Sequence, residues 1–161
     1  MVTRKREVTS LGKVEKKVST NNHPRIDFIK SVKLAGIGLD KCVASVDRSL
    51  LVQAKEREDD LEIEIKMGHS ILAHEDGYFV VAADFDLAQH TSKSEKRIVS
   101  ITATFSAKFN LAKPASEELI SGFARLEARL IFFPYLRHFV SDTSHRMSID
   151  AITLPLTSEL E

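Results

Sequence analysis

Leu61-Glu62-Ile63-Glu64-Ile65-Lys66-Met67 opens the stretch that decides the fold. Leu61, Ile63, Ile65 and Met67 are apolar at every second position, and Glu62, Glu64 and Lys66 fill the gaps. Side chains alternate across a strand, so this spacing predicts a strand with one buried face. His74-Glu75-Asp76-Gly77 reads as a turn. Beyond it Phe79, Val81, Ala83, Phe85 and Leu87 share one parity, and Asp84 and Asp86 the other. A polar loop at 90–97 leads into Val99, Ile101, Ala103, Phe105, Ala107, Phe109 and Leu111, interleaved with Ser100, Thr102, Thr104, Ser106, Lys108 and Asn110. This is the pattern of three antiparallel strands in a meander, one face dry and one wet. The strand phenylalanines at 79, 85, 105 and 109 are expected chiefly in the core. A turn at 74–77 would set Glu64 near Asp86 and Lys66 near Asp84.

Downstream the period lengthens. Pro114-Ala115-Ser116-Glu117-Glu118 has the composition of a helix start, with carboxylates beside the positive end of the dipole. Leu119, Ile120, Phe123, Leu126, Leu130 and Phe133 follow at helical spacing, and Leu136, Phe139, Val140 and Thr143 carry the pattern past Pro134. A proline inside a helix removes one amide donor and kinks the rod. Residues 152–156 are short, apolar and extended. Upstream, residues 26–46 read best as a long irregular strand with Ile26, Phe28, Val32 and Leu34 on one face and Gly36 and Gly38 at a kink or bulge. A short helix over 24–35 is the other reading. Residues 55–60 are a charged connection. The fold class is therefore α+β: a four-stranded antiparallel sheet followed by one long kinked helix.

Composition narrows the function. The chain has 161 residues, 43% hydrophobic and 29% charged, with 23 basic and 23 acidic side chains. That suits one domain at 23–161 behind a flexible basic arm at 1–22, which holds Arg4, Lys5, Arg6, Lys13, Lys16 and Lys17. A net charge of zero gives no global field toward nucleic acid, and no apolar run approaches the ~20 residues that span a membrane. The single Cys42 cannot form an internal disulfide, which fits a reducing, cytoplasmic location. Gly36-Ile37-Gly38 lacks the third glycine of a nucleotide fingerprint. The six histidines, His138 and His145 included, show no metal-ligand spacing, and Cys42 has no evident histidine partner. Glu117 and Glu118 suit a helix start, and Asp142 and Arg146 an i,i+4 ion pair. No catalytic set, cofactor or metal is expected. Ile131, Phe132 and Tyr135 widen the apolar arc of the long helix beyond what one sheet covers, so a homo-oligomer with helices between two sheets is expected.

Arg129-Leu130-Ile131-Phe132-Phe133-Pro134-Tyr135-Leu136-Arg137-His138-Phe139-Val140 resembles the characteristic helix of the SecB family of protein-export chaperones, in its core Phe132-Phe133-Pro134-Tyr135 followed by Arg137. Asp142, Arg146 and Met147, then Ile152-Thr153-Leu154-Pro155-Leu156, look like that family's descent from helix to a proline-bearing segment. The resemblance runs from about residue 28 to residue 155. It implies four antiparallel strands, then a long helix. It also implies subunits that pair their sheets, and dimers that stack into a tetramer with helices between them. The implied work is that of a holdase for unfolded preproteins, delivered to the translocase ATPase, or of a guardian of an antitoxin. A scaffold with one fixed protein partner is a further alternative. A holdase must expose apolar surface, and nine Phe and two Tyr supply it here. Expected groove or interface residues are Phe28, Val32, Ile63, Ile65, Phe79, Phe132, Phe133 and Tyr135. Pro134 and Arg137 are expected to be structural. Typical members carry an acidic outer sheet face that docks the translocase, which here would be Glu62, Glu64, Asp84 and Asp86, diluted by Lys93, Lys96, Arg97 and Lys108. They also carry a further C-terminal helix, for which little chain follows residue 156, so more open grooves are expected.

Overall fold

A computed structural model describes residues 24–154. The basic stretch at 1–22 and the end of the proline-bearing segment at 155–156 lie outside the described residues. The elements run α1 (Pro24–Ser31), β1 (Val32–Val46), α2 (Arg48–Glu56), β2 (Leu61–Glu75), β3 (Tyr78–Thr91), β4 (Ser94–Leu111) and α3 (Glu117–Arg146). The strands form one antiparallel sheet in the order β1-β4-β3-β2. The expected meander is β2-β3-β4, and β1 returns to the far side of β4, leaving β1 and β2 as the two edges.

The alternating stretch behaves as its parity dictates. Phe79, Val81, Phe85 and Leu87 of β3 and Val99, Ile101, Phe105 and Phe109 of β4 are buried on one face. Phe79 lies at the centre of an aromatic knot, 5.1 Å from Phe109 and 5.5 Å from Phe123 between ring centroids. Phe28 closes the knot from α1, edge-on to Phe123 at 6.0 Å.

Several expectations are corrected. Residues 24–31 are helical, and only 32–46 form the strand anticipated for 26–46. The helix starts at Pro24, whose fixed φ suits a first helical position, and it swings Phe28 into the knot. Irregularities fall between Leu34 and Gly36 and between Leu39 and Lys41. Neither Gly36 nor Gly38 has positive φ, and a Cβ on either would meet nothing within 4 Å, so open space and not a backbone demand surrounds them. The connection expected at 55–60 begins later, because Lys55 and Glu56 end α2. Asp47 caps that helix by accepting from the Leu50 amide at 3.0 Å. β2 runs on through His74 and Glu75, so its turn is only Asp76-Gly77. The later turn, less the one extra residue between Ile71 and Ala73, leaves the register two residues from the expected one: Lys66 faces Asp86, Gly68 faces Asp84 and Glu64 faces Ala88. The loop expected at 90–97 shrinks likewise, since β3 reaches Thr91 and β4 starts at Ser94.

α3 is a continuous helix of 30 residues with Pro134 inside it. Ser116 caps it, accepting weakly from the Leu119 amide at 3.4 Å. Its most buried row is Ile120, Ala124, Ala128, Phe132, Leu136, Val140 and Ser144. An i+4 row advances about 40° around a helix per step, so the contact winds slowly along the rod over a twisted sheet. Ala124 and Ala128 let the backbone approach closely. Leu126 and Leu130, expected on the packed side, are turned to solvent, and Phe132 takes the core position instead.

The chain after α3 folds back along it. The Arg137 guanidinium donates to the Leu154 carbonyl from Nη2 at 2.8 Å and Nε at 3.3 Å. Ile152 and Leu154 are thereby buried without joining the sheet. Arg48 donates to the Met147 and Ser148 carbonyls, and Lys55 pairs with Asp150 at 3.0 Å, so α2 clamps the same strip.

Candidate functional site

Two margins of the inner sheet face are left uncovered. The first lies along β1. Its residues are exposed or half-buried throughout, and Leu34 and Leu39, beside the inner-face Phe109 and Phe105, stand open to solvent. Between this edge and α3 lies an apolar cleft of about 420 Å³, lined by Leu39, Phe105, Pro134, Tyr135, His138 and Phe139. The Phe105 and Phe139 rings meet edge-to-face at 5.6 Å and form its floor.

The second margin lies along β2. Leu61 and Ile63 point to the inner side but are 38% and 40% exposed, while Ile65 and Met67 are half-buried. The helix crosses the sheet further up the strand, and there a cleft of about 200 Å³ opens between β2 and α3. Met67 and His69 form one wall, and Arg125, Arg129 and Phe132 the other. β2 is an edge strand, so backbone donors and acceptors along its free side have no partner strand among the described residues. The charged side chains Glu62, Glu64 and Lys66 occupy its wet face, a common defence of an edge against indiscriminate pairing.

The outer face is polar and largely self-paired. Arg97 grips Asp86 through two bonds of 2.9 Å, Thr104 Oγ1 donates to Asp84 at 2.7 Å, and Lys66 pairs with Glu64 at 3.0 Å. The Lys66 hydrogen bond holds the Glu64 carboxyl below the usual carboxylate range, and the Asp86 carboxylate pushes the Arg97 guanidinium up. Asp142 and Arg146 form the expected helical pair at 2.7 Å. Among the described residues no group of three or more His, Cys, Asp or Glu could hold a metal, and no helix is long and apolar enough to cross a membrane.

The eight apolar residues singled out in the sequence therefore fall into two sets. Phe28, Phe79, Phe132 and Phe133 are packed inside the subunit. Ile63 and Tyr135 are exposed, and Val32 and Ile65 are half-buried at the margins. Glu62, Glu64, Asp84 and Asp86 do share the outer face, in the shifted register and with three of the four partnered. Sequence reasoning missed Leu39, His138 and Phe139 on one cleft and His69, Arg125 and Arg129 on the other. The available signal was the Ala124/Ala128 spacing, which marks the closely packed side of α3 and so places Leu126 and Leu130 outside.

No protein-family model and no curated protein matches the chain. Among solved structures it is similar to the SecB-like chaperone Rv1957 of Mycobacterium tuberculosis, solved in complex with a ChAD peptide from the Rv1956 HigA1 antitoxin. The TM-score is 0.71, at 20% identity, over 86% of this chain and 97% of that one. A protein of unknown function from Streptococcus agalactiae matches at a TM-score of 0.42 and 7% identity, over 78% of this chain and 97% of that one, too remote to carry an argument. The chain thus has the SecB-like fold that its Phe-Pro-Tyr helix implies.

Proposed function

We propose that this protein is a non-catalytic chaperone that holds extended, non-native polypeptide segments along the free edge of β2. The observation that carries the reading is a strand edge that has no partner among the described residues, beside apolar side chains left open on the inner face, Leu61 and Ile63 above all. An extended chain can add to such an edge by backbone hydrogen bonds and send alternate side chains onto the apolar shelf. Nothing more is needed of a holdase: by binding the unfolded client and not its folded form, it shifts the client's equilibrium by mass action. In this reading Ile63 and Ile65 meet the client, Phe28, Phe79, Phe132 and Phe133 hold the sheet and helix together as core, and Val32 lies at the opposite margin on β1.

Tyr135, Leu39 and the apolar cleft beside β1 then serve assembly. A second copy seated there would cover side chains that one subunit leaves wet, giving a homo-oligomer, with a tetramer as the expected state. Two kinds of client fit. An antitoxin segment is favoured by the peptide bound to the Mycobacterium tuberculosis neighbour. It is also favoured by the partnering of Glu64, Asp84 and Asp86 on the face an export chaperone would offer the translocase ATPase. Delivery of preproteins in export is the second reading.

The test is suppression of aggregation. Stoichiometric amounts of the protein should keep several unrelated chemically denatured proteins in solution on dilution from denaturant. Protection of none would overturn the chaperone reading. Protection of one alone would mark a scaffold with a single fixed partner.

A further inference from the structure

The cleft between β2 and α3 carries information about which segments bind. It is lined by the Arg125 and Arg129 guanidinium groups and by His69, and by no carboxylate among the described residues. Arg125 makes no hydrogen bond or ion pair among the described residues, and its side chain is exposed at the mouth. The floor is Ala83 and Ala124, whose small side chains leave the recess open. At about 200 Å³ the space is below the roughly 300–1,000 Å³ of a small-molecule pocket. It suits one side chain of a longer ligand better than a free cofactor.

Its place relative to the edge decides what that ligand is. Met67 and His69 are inner-face positions of β2, opposite Phe85 and Ala83 on β3. A strand added to the free edge would lie about 4.8 Å beyond β2, with every second side chain on the inner side. A side chain that arrives opposite Met67 and His69 enters the cleft that Arg125 also lines. On the same helix Glu127 pairs with Arg25 at 2.6 Å, and Glu118, which shares the neighbouring cleft with Arg125, makes no hydrogen bond or ion pair with it.

We infer that this cleft selects extended segments carrying an acidic side chain among apolar ones, with Arg125 as the residue that reads the charge. This rests on the β2-edge reading given above. A guanidinium–carboxylate pair can form two parallel bonds, and at a half-open site such a pair changes affinity modestly. The selectivity is therefore one of preference, superimposed on backbone pairing and apolar contact that any suitable strand would share.

Three synthetic, fluorescein-labelled eleven-residue peptides test this. They share one alternating apolar and Thr sequence and differ only in a central Glu, Gln or Lys. Binding to the intact protein is followed by fluorescence anisotropy at low salt and at 0.5 M salt. The expected order is Glu tightest, then Gln, then Lys, spanning roughly 2- to 10-fold. High salt should compress it. Arg125→Gln should flatten the order and Arg125→Glu should reverse it. Equal binding of the three peptides by the unaltered protein would overturn the charge selectivity and leave the edge reading standing, as would a preference for Glu that survives both substitutions. Failure of all three to bind would overturn both. If Arg125→Glu loses its helical circular dichroism, the milder Arg125→Gln still decides.

Discussion

Ser148 shows how far one residue can depart from what its type suggests. It follows the last turn of α3 with φ of 53°, in the left-handed region that favours glycine. Its amide donates to the His145 carbonyl at 2.9 Å and that of Ile149 to Ser144 at 3.2 Å, which closes the helix end as a glycine would. Ser148→Gly should therefore raise stability by about 0.5–1 kcal/mol, read as a higher urea midpoint at unchanged slope and equal protein concentration. Arg137 works the other way. Arg137→Ala would strip both donors from the Leu154 carbonyl and loosen the strip that buries Ile152 and Leu154. A loss of about 1–3 kcal/mol is expected, with faster proteolytic cleavage after residue 147, and Arg137→Lys should recover only part of it. The sequence shows Arg137 beside an apolar helix face, where a charged residue needs polar company, but not which partner it takes, since the carbonyl lies 17 residues away.

At the scale of elements, parity made the three central strands legible, because period-two alternation has no other good solution than a half-buried strand. Register was not. The additional residue of β2 lies within Ile71-Leu72-Ala73, where three successive apolar side chains hide which one is extra. α2 was missed for a related reason: one turn of apolar residues, Leu50, Leu51 and Ala54, beside a charged run gives too short a periodicity to stand out. α3 was foreseen as a helix, but it is apolar around much of its girth, so only the small residues at 124 and 128 reveal its packed side. The same helix contains Gly122, where a Cβ would meet nothing within 4 Å and φ is not positive. Gly122→Ala should thus stabilise the protein by about 0.5–1 kcal/mol, checked by urea denaturation. Phe79→Ala, at the centre of the aromatic knot, should instead cost about 3–5 kcal/mol.

Among the described residues the sheet has two edge strands without partners and α3 laid across it, and an isolated subunit leaves Leu39, Val43, Leu130 and Tyr135 exposed. Light scattering coupled to size exclusion should give a multiple of the 18.0 kDa subunit, a tetramer in the proposed assembly. Tyr135→Asp should lower that mass while preserving the circular dichroism of the subunit, because Tyr135 is 44% exposed and outside the core. A clean monomer of the unaltered protein at micromolar concentration would speak against the assembly. The division of labour between edges, β1 for copies and β2 for clients, can be examined in one measurement: amide hydrogen exchange of the protein alone and with a permanently unfolded client in excess. Holding at the β2 edge requires new protection within residues 61–75, with β1 unchanged between the two states. Protection that appears at β1 while residues 61–75 exchange as fast as before would contradict it.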